Sequence, residues 1–151
     1  MPRIERLEDV EAWQAARALT QDIYRATDAD RFARDFGLRD QIHRAAVSVM
    51  ANIAEGFDAG SRNEFVRFLS YALRSATEVQ SHLYVAADRG YITEEHFQAL
   101  RERAGILKGQ IGAFRRYLRS LDSINGARVT GSGKPITVKP TTGKQTRGDN
   151  P

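Results

Sequence analysis

The chain has 151 residues, 41% hydrophobic and 28% charged, the proportions of one ordinary globular domain; they exclude both a composition-driven disordered protein and a large multidomain enzyme. Cysteine is absent, which removes a disulfide framework, a thiolate zinc site and a cysteine nucleophile together. The net charge of +4 lies in the C-terminal tail: residues 1–122 hold 18 cations against 18 anions, whereas residues 123–151 hold five (Arg128, Lys134, Lys139, Lys144, Arg147) against Asp149. All the cations of residues 1–122 except Lys108 are arginines, so nucleic-acid binding by this part has to rest on local clustering. The first residues carry no apolar run after their charges, and nowhere do ~18 apolar residues follow one another. A soluble cytoplasmic protein without a membrane partner is expected.

Proline occurs only at positions 2, 135, 140 and 151, leaving a long stretch free of that helix-breaker. Four periodic segments predict an all-α fold. The first spans about residues 7–27, with Ala12, Ala16, Leu19, Ile23 and Ala26 on one stripe and Trp13 and Tyr24 beside it. Residues 28–37 break the period. The second spans about residues 39–57, where Ile42, Ala45, Ala46, Val49, Ile53 and Phe57 share a face, and Gly56 and Gly60 mark its end.

The third segment, about residues 62–90, opens on Ser61 and Glu64 in the spacing of a capping box. Its Phe65, Leu69, Ala72, Ala76, Val79, Leu83 and Ala86 step by four and three, a seam suited to an antiparallel bundle. Gly90 closes it. Thr93 caps the fourth, about residues 94–122, whose seam runs Phe97, Leu100, Ala104, Leu107, Ile111, Phe114, Leu118 and Leu121. Short connections near residues 58–60 and 91–92 favour antiparallel neighbours. The expected architecture is an up-down four-helix bundle over residues 1–122, followed by a flexible, disordered basic tail over residues 123–151. Within the tail, Val129-Thr130 and Ile136-Thr137-Val138 flank Gly131-Ser132-Gly133 and could pair as a weak hairpin.

Catalytic signals are sparse. The three histidines, His43, His82 and His96, do not build a bundle-core di-iron site, because Glu78 and His82 are four apart and no second pair exists. No phosphate-binding loop, dinucleotide fingerprint or nucleophile elbow occurs. A non-enzymatic protein without cofactor or metal is expected.

The second helix is the most informative. Arg44, Ser48, Asn52 and Glu55 form one polar stripe, while nearly every other position from Ile42 to Ala54 is apolar or small. Two readings stand for the stripe: a buried polar network, or surface residues beside small side chains that allow close packing. The surplus apolar surface at Val47, Met50 and Ala54 points to contact with another subunit.

Residues 37–56, GLRDQIHRAAVSVMANIAEG, with Glu64-Phe65 and Phe68-Leu69 after them, resemble the bacterial four-helix-bundle family encoded in intervening sequences of 23S ribosomal RNA genes. The resemblance spans about residues 4–122, including Trp13 and Ile23-Tyr24, and stops before the tail. It implies a homo-oligomeric ring, a pentamer in particular, with a role beside structured RNA. Related bundles are accessory proteins of diversity-generating reverse transcriptases, which implies a reverse transcriptase or ribonucleoprotein partner. The resemblance also implies that Arg44, Asn52, Glu55 and Gly56 tie the second helix to Ser75 and Glu78 of the third. No catalytic residue carries over. Two departures are His43, where the family tends to arginine, and Arg74, where it tends to a small residue; Arg74 either crowds a helix contact or projects outward.

Independently of the family, Arg101, Lys108, Arg115 and Arg119 fall within about 40° of one another on the fourth helix. Gly105 and Gly112 lie on the same strip and leave backbone open to phosphate. Arginine's planar fork suits bidentate phosphate contact, and Arg62, Arg67 and Arg74 of the third helix extend the positive surface. Glu94 and Glu102 lie near the stripe, and a solvated charged face is the competing reading. Three glycines, Gly105, Gly109 and Gly112, are costly inside a helix, and close packing by a neighbouring helix is the expected reason. Two functional readings follow: a bundle that binds RNA or DNA through arginines of the third and fourth helices, or a scaffold that docks a protein partner without touching nucleic acid.

Overall fold

The computed structural model describes residues 3–126, with side-chain surroundings defined through Leu121. A 3-10 turn, Leu7–Asp9, leads into α1 (Glu11–Thr27), a short α2 (Asp30–Arg34), α3 (Phe36–Asp58), α4 (Arg62–Asp88) and α5 (Glu94–Gly126). The described residues contain no strand. The basic tail and its candidate hairpin lie outside them.

The long helices pack as a closed ring: α1 on α3 and α5, α3 on α4, and α4 on α5. Contacts along three of these seams show the directions. Ser48 meets Ser75 while Gly56 lies against Phe65; Gln80 meets Lys108 while Ser70 meets Arg115; Thr20 reaches Ala46 while Thr27 reaches His43. In every pair one number rises as the other falls, so neighbours are antiparallel and the chain is the up-down bundle its periodicity predicts.

The core follows the expected stripe of each helix, including Ile23, Ile42, Ile53, Phe65, Leu69, Leu83, Leu107, Ile111 and Leu118, all essentially without solvent contact; of the expected members, Phe57, Phe114 and Leu121 are only half-buried against it. Thr20 and Thr27 are buried polar exceptions. Thr20 donates to the Ala16 carbonyl at 2.8 Å, and Thr27 donates to the Tyr24 carbonyl at 3.0 Å, so their hydroxyls are satisfied within α1.

The helix ends differ from expectation in instructive ways. Residues 7–9 form the 3-10 turn because Asp9 accepts the Glu5 and Arg6 N–H groups, each at 3.0 Å, and these bonds hold its carboxyl below the usual carboxylate range. The break over 28–37 contains α2, pinned by the buried ring of Phe32 against Tyr91, 5.3 Å between centroids. The next helix starts at Phe36, because the Asp35 carboxylate accepts the Leu38 N–H at 3.0 Å. Only the serine half of the box at α4 forms: Ser61 accepts the Glu64 N–H at 3.1 Å, whereas the Glu64 carboxylate accepts from Arg67 at 2.7 Å. Thr93 caps α5 by accepting the His96 N–H at 3.1 Å. Gly60 and Gly90 take the left-handed conformation, φ 78° and 69°, that stops α3 and α4.

Candidate nucleic-acid interface

The cations singled out on α4 and α5 are not equivalent. On α5, the stripe Arg101, Lys108, Arg115, Arg119 borders the core stripe on the side that meets α4. Lys108 is half-buried and donates to the Gln80 side-chain carbonyl at 3.1 Å. Arg115 is half-buried, donates through Nη1 to the Ser70 hydroxyl at 3.2 Å, and has a buried Nε without a partner. Both therefore serve the α4–α5 seam, and the expectation of four equivalent outward cations is corrected at these two. Arg101 and Arg119 are exposed.

Aromatic rings hold several of the exposed guanidinium groups. Arg101 lies over Tyr84, 5.9 Å from the ring centre, and Tyr84 is itself 46% exposed. Arg67 and Arg74 flank Tyr71 at 5.9 and 5.8 Å, and Arg67 also covers Phe68 at 5.4 Å. Arg74 thus projects outward and does not crowd a helix contact. Such stacking holds the plane of a guanidinium while its edge N–H groups face solvent at Arg74 and Arg101, whereas Arg67 donates through Nη2 to Glu64 at 2.7 Å. Beside Arg101, an open cleft of about 410 Å³ is lined by Gln80, Gln98, Glu102 and Gly105.

The interior glycines are not explained by helix packing. A Cβ at Gly105 would have Gln80 Nε2 3.8 Å away, one at Gly112 would have Arg116 Nη1 at 3.4 Å, and one at Gly109 would meet nothing within 4 Å. The close approach is at Gly56, where a Cβ would sit 2.7 Å from a Phe65 ring carbon and 2.9 Å from the Phe68 Cβ.

The polar stripe of α3 divides as well. Ser48 and Ser75 hydroxyls are 3.0 Å apart across the α3–α4 seam, and Asn52 donates to the Ser48 carbonyl at 2.8 Å and to its hydroxyl at 3.0 Å. Those three form the network. Arg44 is exposed and pairs with Asp40 at 2.9 Å, and Glu55 and Glu78 are exposed, so these three stand outside it. Val47 is 44% exposed, and Met50 and Ala54 are half-buried.

Sequence reasoning missed the partner of His43. Its ring stacks on Tyr24, 3.9 Å between centroids and 5° from parallel, and its Nε2 is 2.6 Å from the Thr27 hydroxyl. Burial, then the nearby Arg39 charge, holds the imidazole below its ordinary value against the opposing pull of Asp28 and Asp40. Ring stacking and the hydrogen bond to Thr27 clamp α1 to α3.

Among the described residues, no group of histidine, aspartate and glutamate could hold a metal ion, and no helix is long and apolar enough to cross a membrane.

Known proteins place this arrangement. A solved structure similar to this fold is a protein of unknown function from the S23 ribosomal protein family of Bacteroides thetaiotaomicron: TM-score 0.65, 23% identity, covering 70% of this chain and 95% of that one. No curated protein matches the chain. The family described as 23S rRNA-intervening sequence protein matches residues 8–113. That match covers most of the described bundle, and the chain belongs to the 23S rRNA-intervening sequence protein family.

Proposed function

We propose that this protein is a non-enzymatic, cytoplasmic, homo-oligomeric bundle that binds nucleic acid, RNA or a ribonucleoprotein in particular, through the arginine–aromatic face of α4 and α5. The observation that carries this reading is the placement of Arg67 and Arg74 over Tyr71 and of Arg101 over the exposed Tyr84. Guanidinium edges suit phosphate oxygens, and the rings beneath hold the guanidinium planes in place. Arg119 extends the face, and Lys108 and Arg115 fix the seam beneath it. Tyr24, 42% exposed, and Val47 give α1 and α3 an apolar surface on the opposite part of the bundle, the surface assigned here to contact between copies in a pentameric ring. Assembly would repeat the arginine face in each subunit and multiply weak contacts.

Fluorescence anisotropy with a labelled structured RNA at several salt concentrations tests the reading. Binding weakens steeply with salt, and the triple variant Arg67→Glu, Arg74→Glu, Arg101→Glu loses it with its helical content unchanged. Salt-independent affinity, or full affinity in the triple variant, contradicts it. A second reading, a scaffold that docks a reverse transcriptase or other protein, is favoured by Ile106, 56% exposed on the outward side of α5. Under that reading a partner captured from lysate stays bound after nuclease treatment and is lost in Ile106→Glu.

A further inference from the structure

A second cationic site lies away from the α4–α5 face. Where α2 and the start of α3 meet the turn between α4 and α5, an open cleft of about 640 Å³ is lined by Arg31, Arg34, Arg89, Asp35, Phe36, Gly37 and Tyr91. Three arginines from two distant parts of the chain thus line one cleft. Arg31 is fixed there: it donates through Nη2 to the Arg89 carbonyl at 3.2 Å and lies 5.4 Å over the Tyr91 ring. Those contacts leave most of its five N–H donors unused. Arg31, Arg34 and Arg89 are all exposed, and none has a carboxylate within ion-pair distance among the described residues, unlike Arg25, Arg44 and Arg67.

Asp35 is the one carboxylate lining the cleft; two hydrogen bonds, and after them the Arg89 charge, hold its carboxyl below the usual range. One carboxylate oxygen accepts the Leu38 N–H at 3.0 Å, and the other accepts the Tyr91 hydroxyl at 2.9 Å. The cleft keeps a surplus of positive charge after Asp35 is counted. Phe36 adds a second kind of recognition. It is 70% exposed, the most open large apolar side chain described. The Arg39 guanidinium lies over its ring at 5.5 Å, and Arg39 is anchored in turn on the Ala33 carbonyl at 3.0 Å. The ring is therefore steadied on one side, and an open aromatic face stands next to three phosphate-competent arginines.

We propose that this cleft binds a nucleoside phosphate, free or as an unpaired nucleotide of a strand, with the base stacked on Phe36 and the phosphates held by Arg31, Arg34 and Arg89. Flat ring and anion are both needed: an inorganic anion leaves Phe36 bare, and an uncharged nucleoside leaves the guanidinium groups unpaired. The proposal is independent of the α4–α5 face, sharing with it only the chemistry of arginine and phosphate.

Isothermal titration of the full chain tests it, with adenosine 5′-diphosphate, inorganic pyrophosphate, adenosine and a 5′-phosphorylated hexadeoxyadenylate as separate probes. The diphosphate or the hexanucleotide binds, pyrophosphate binds more weakly, and adenosine gives no measurable heat. Binding of the diphosphate identifies a free nucleotide as sufficient; binding of the hexanucleotide alone identifies the strand as the source. Phe36→Ala weakens the nucleotide probe about tenfold and leaves pyrophosphate unchanged, and the paired variant Arg31→Ser, Arg34→Ser removes both. Phe36→Leu, which keeps the apolar volume without the flat ring, gives the same split if truncation alone disturbs the fold. Absence of binding by both the diphosphate and the hexanucleotide overturns the proposal. So does equal nucleotide affinity in Phe36→Ala, or a Phe36→Ala variant whose sole change is a smaller assembly mass. Loss of binding only in the Arg67, Arg74, Arg101 triple variant also overturns it, by assigning the nucleotide to the other face.

Discussion

Gly56 of α3 lies directly against Phe65 and Phe68 of α4, and a single methyl group there separates packing from propensity. In Gly56→Ala the new carbon meets the Phe65 ring at 2.7 Å and the Phe68 Cβ at 2.9 Å, well inside the ~3.5–4.0 Å of an ordinary carbon contact. Phe65 cannot turn aside freely, because its ring is buried and packed edge-on against Phe57 and Phe114. Two overlaps of this depth fall at the upper end of the 1–3 kcal/mol cost of overpacking, offset by the ~1 kcal/mol gained on replacing a helix-interior glycine. The net loss is about 2 kcal/mol. For a folded part of about 120 residues, an unfolding entropy of ~2.1 cal/mol/K per residue converts this to a fall of roughly 8 °C in Tm. Gly109→Ala is the matched control: nothing lies within 4 Å of its new carbon, so only the propensity gain remains, and Tm rises by roughly 4 °C. Thermal unfolding followed by circular dichroism reads both. Equal Tm for Gly56→Ala and the parent, or a destabilised Gly109→Ala, refutes the assignment of the close contact to Gly56.

Three further outcomes follow from particular contacts. Because His43 is held below the ordinary imidazole value of about 6.5, the unfolded chain binds the proton more readily; stability is therefore complete above about pH 7 and declines as pH falls through 6.5, and His43→Gln flattens Tm between pH 8 and pH 5 where the parent slopes. Asp9 and Asp35, also held low, lose their contribution only as pH falls below the carboxylate range of about 4, so the two regions separate. Ser61→Ala removes the cap on the Glu64 N–H and costs about 1 kcal/mol in denaturant unfolding; an unchanged midpoint contradicts that role. Arg115→Glu lowers Tm, since it places a carboxylate in the half-buried α4–α5 seam beside Ser70, while Arg119→Glu, on an exposed side chain, leaves Tm within about 2 °C. Equal shifts in the two variants would show that the seam does not distinguish them.

The seams of α4 and α5 were legible because their apolar residues repeat by three and four over several turns, and the core residues Phe65 to Ala86 and Phe97 to Leu118 follow that repeat. Helix α2 was not, since a single buried residue, Phe32, anchors five residues and no period can show in so short a span. The arginine stripe was legible as a stripe, but its place relative to the core was the deciding quantity: Lys108 and Arg115 border the buried residues Leu107 and Ile111 closely enough to bond α4. Ser48, Asn52 and Ser75 join because their short side chains fit the α3–α4 contact, whereas Arg44 and Glu55 on the same sequence stripe are angled away to solvent. The cleft at Arg31, Arg89 and Phe36 depends on bringing together residues nearly sixty positions apart, which no local pattern encodes.

Size-exclusion chromatography with light scattering, with and without a structured RNA and at low and high salt, tests the central claim most directly. A pentamer that binds RNA through its arginines has a mass near five times 16.9 kDa that rises with RNA at low salt and falls back at high salt. A monomer whose mass is indifferent to RNA at both salt concentrations contradicts it.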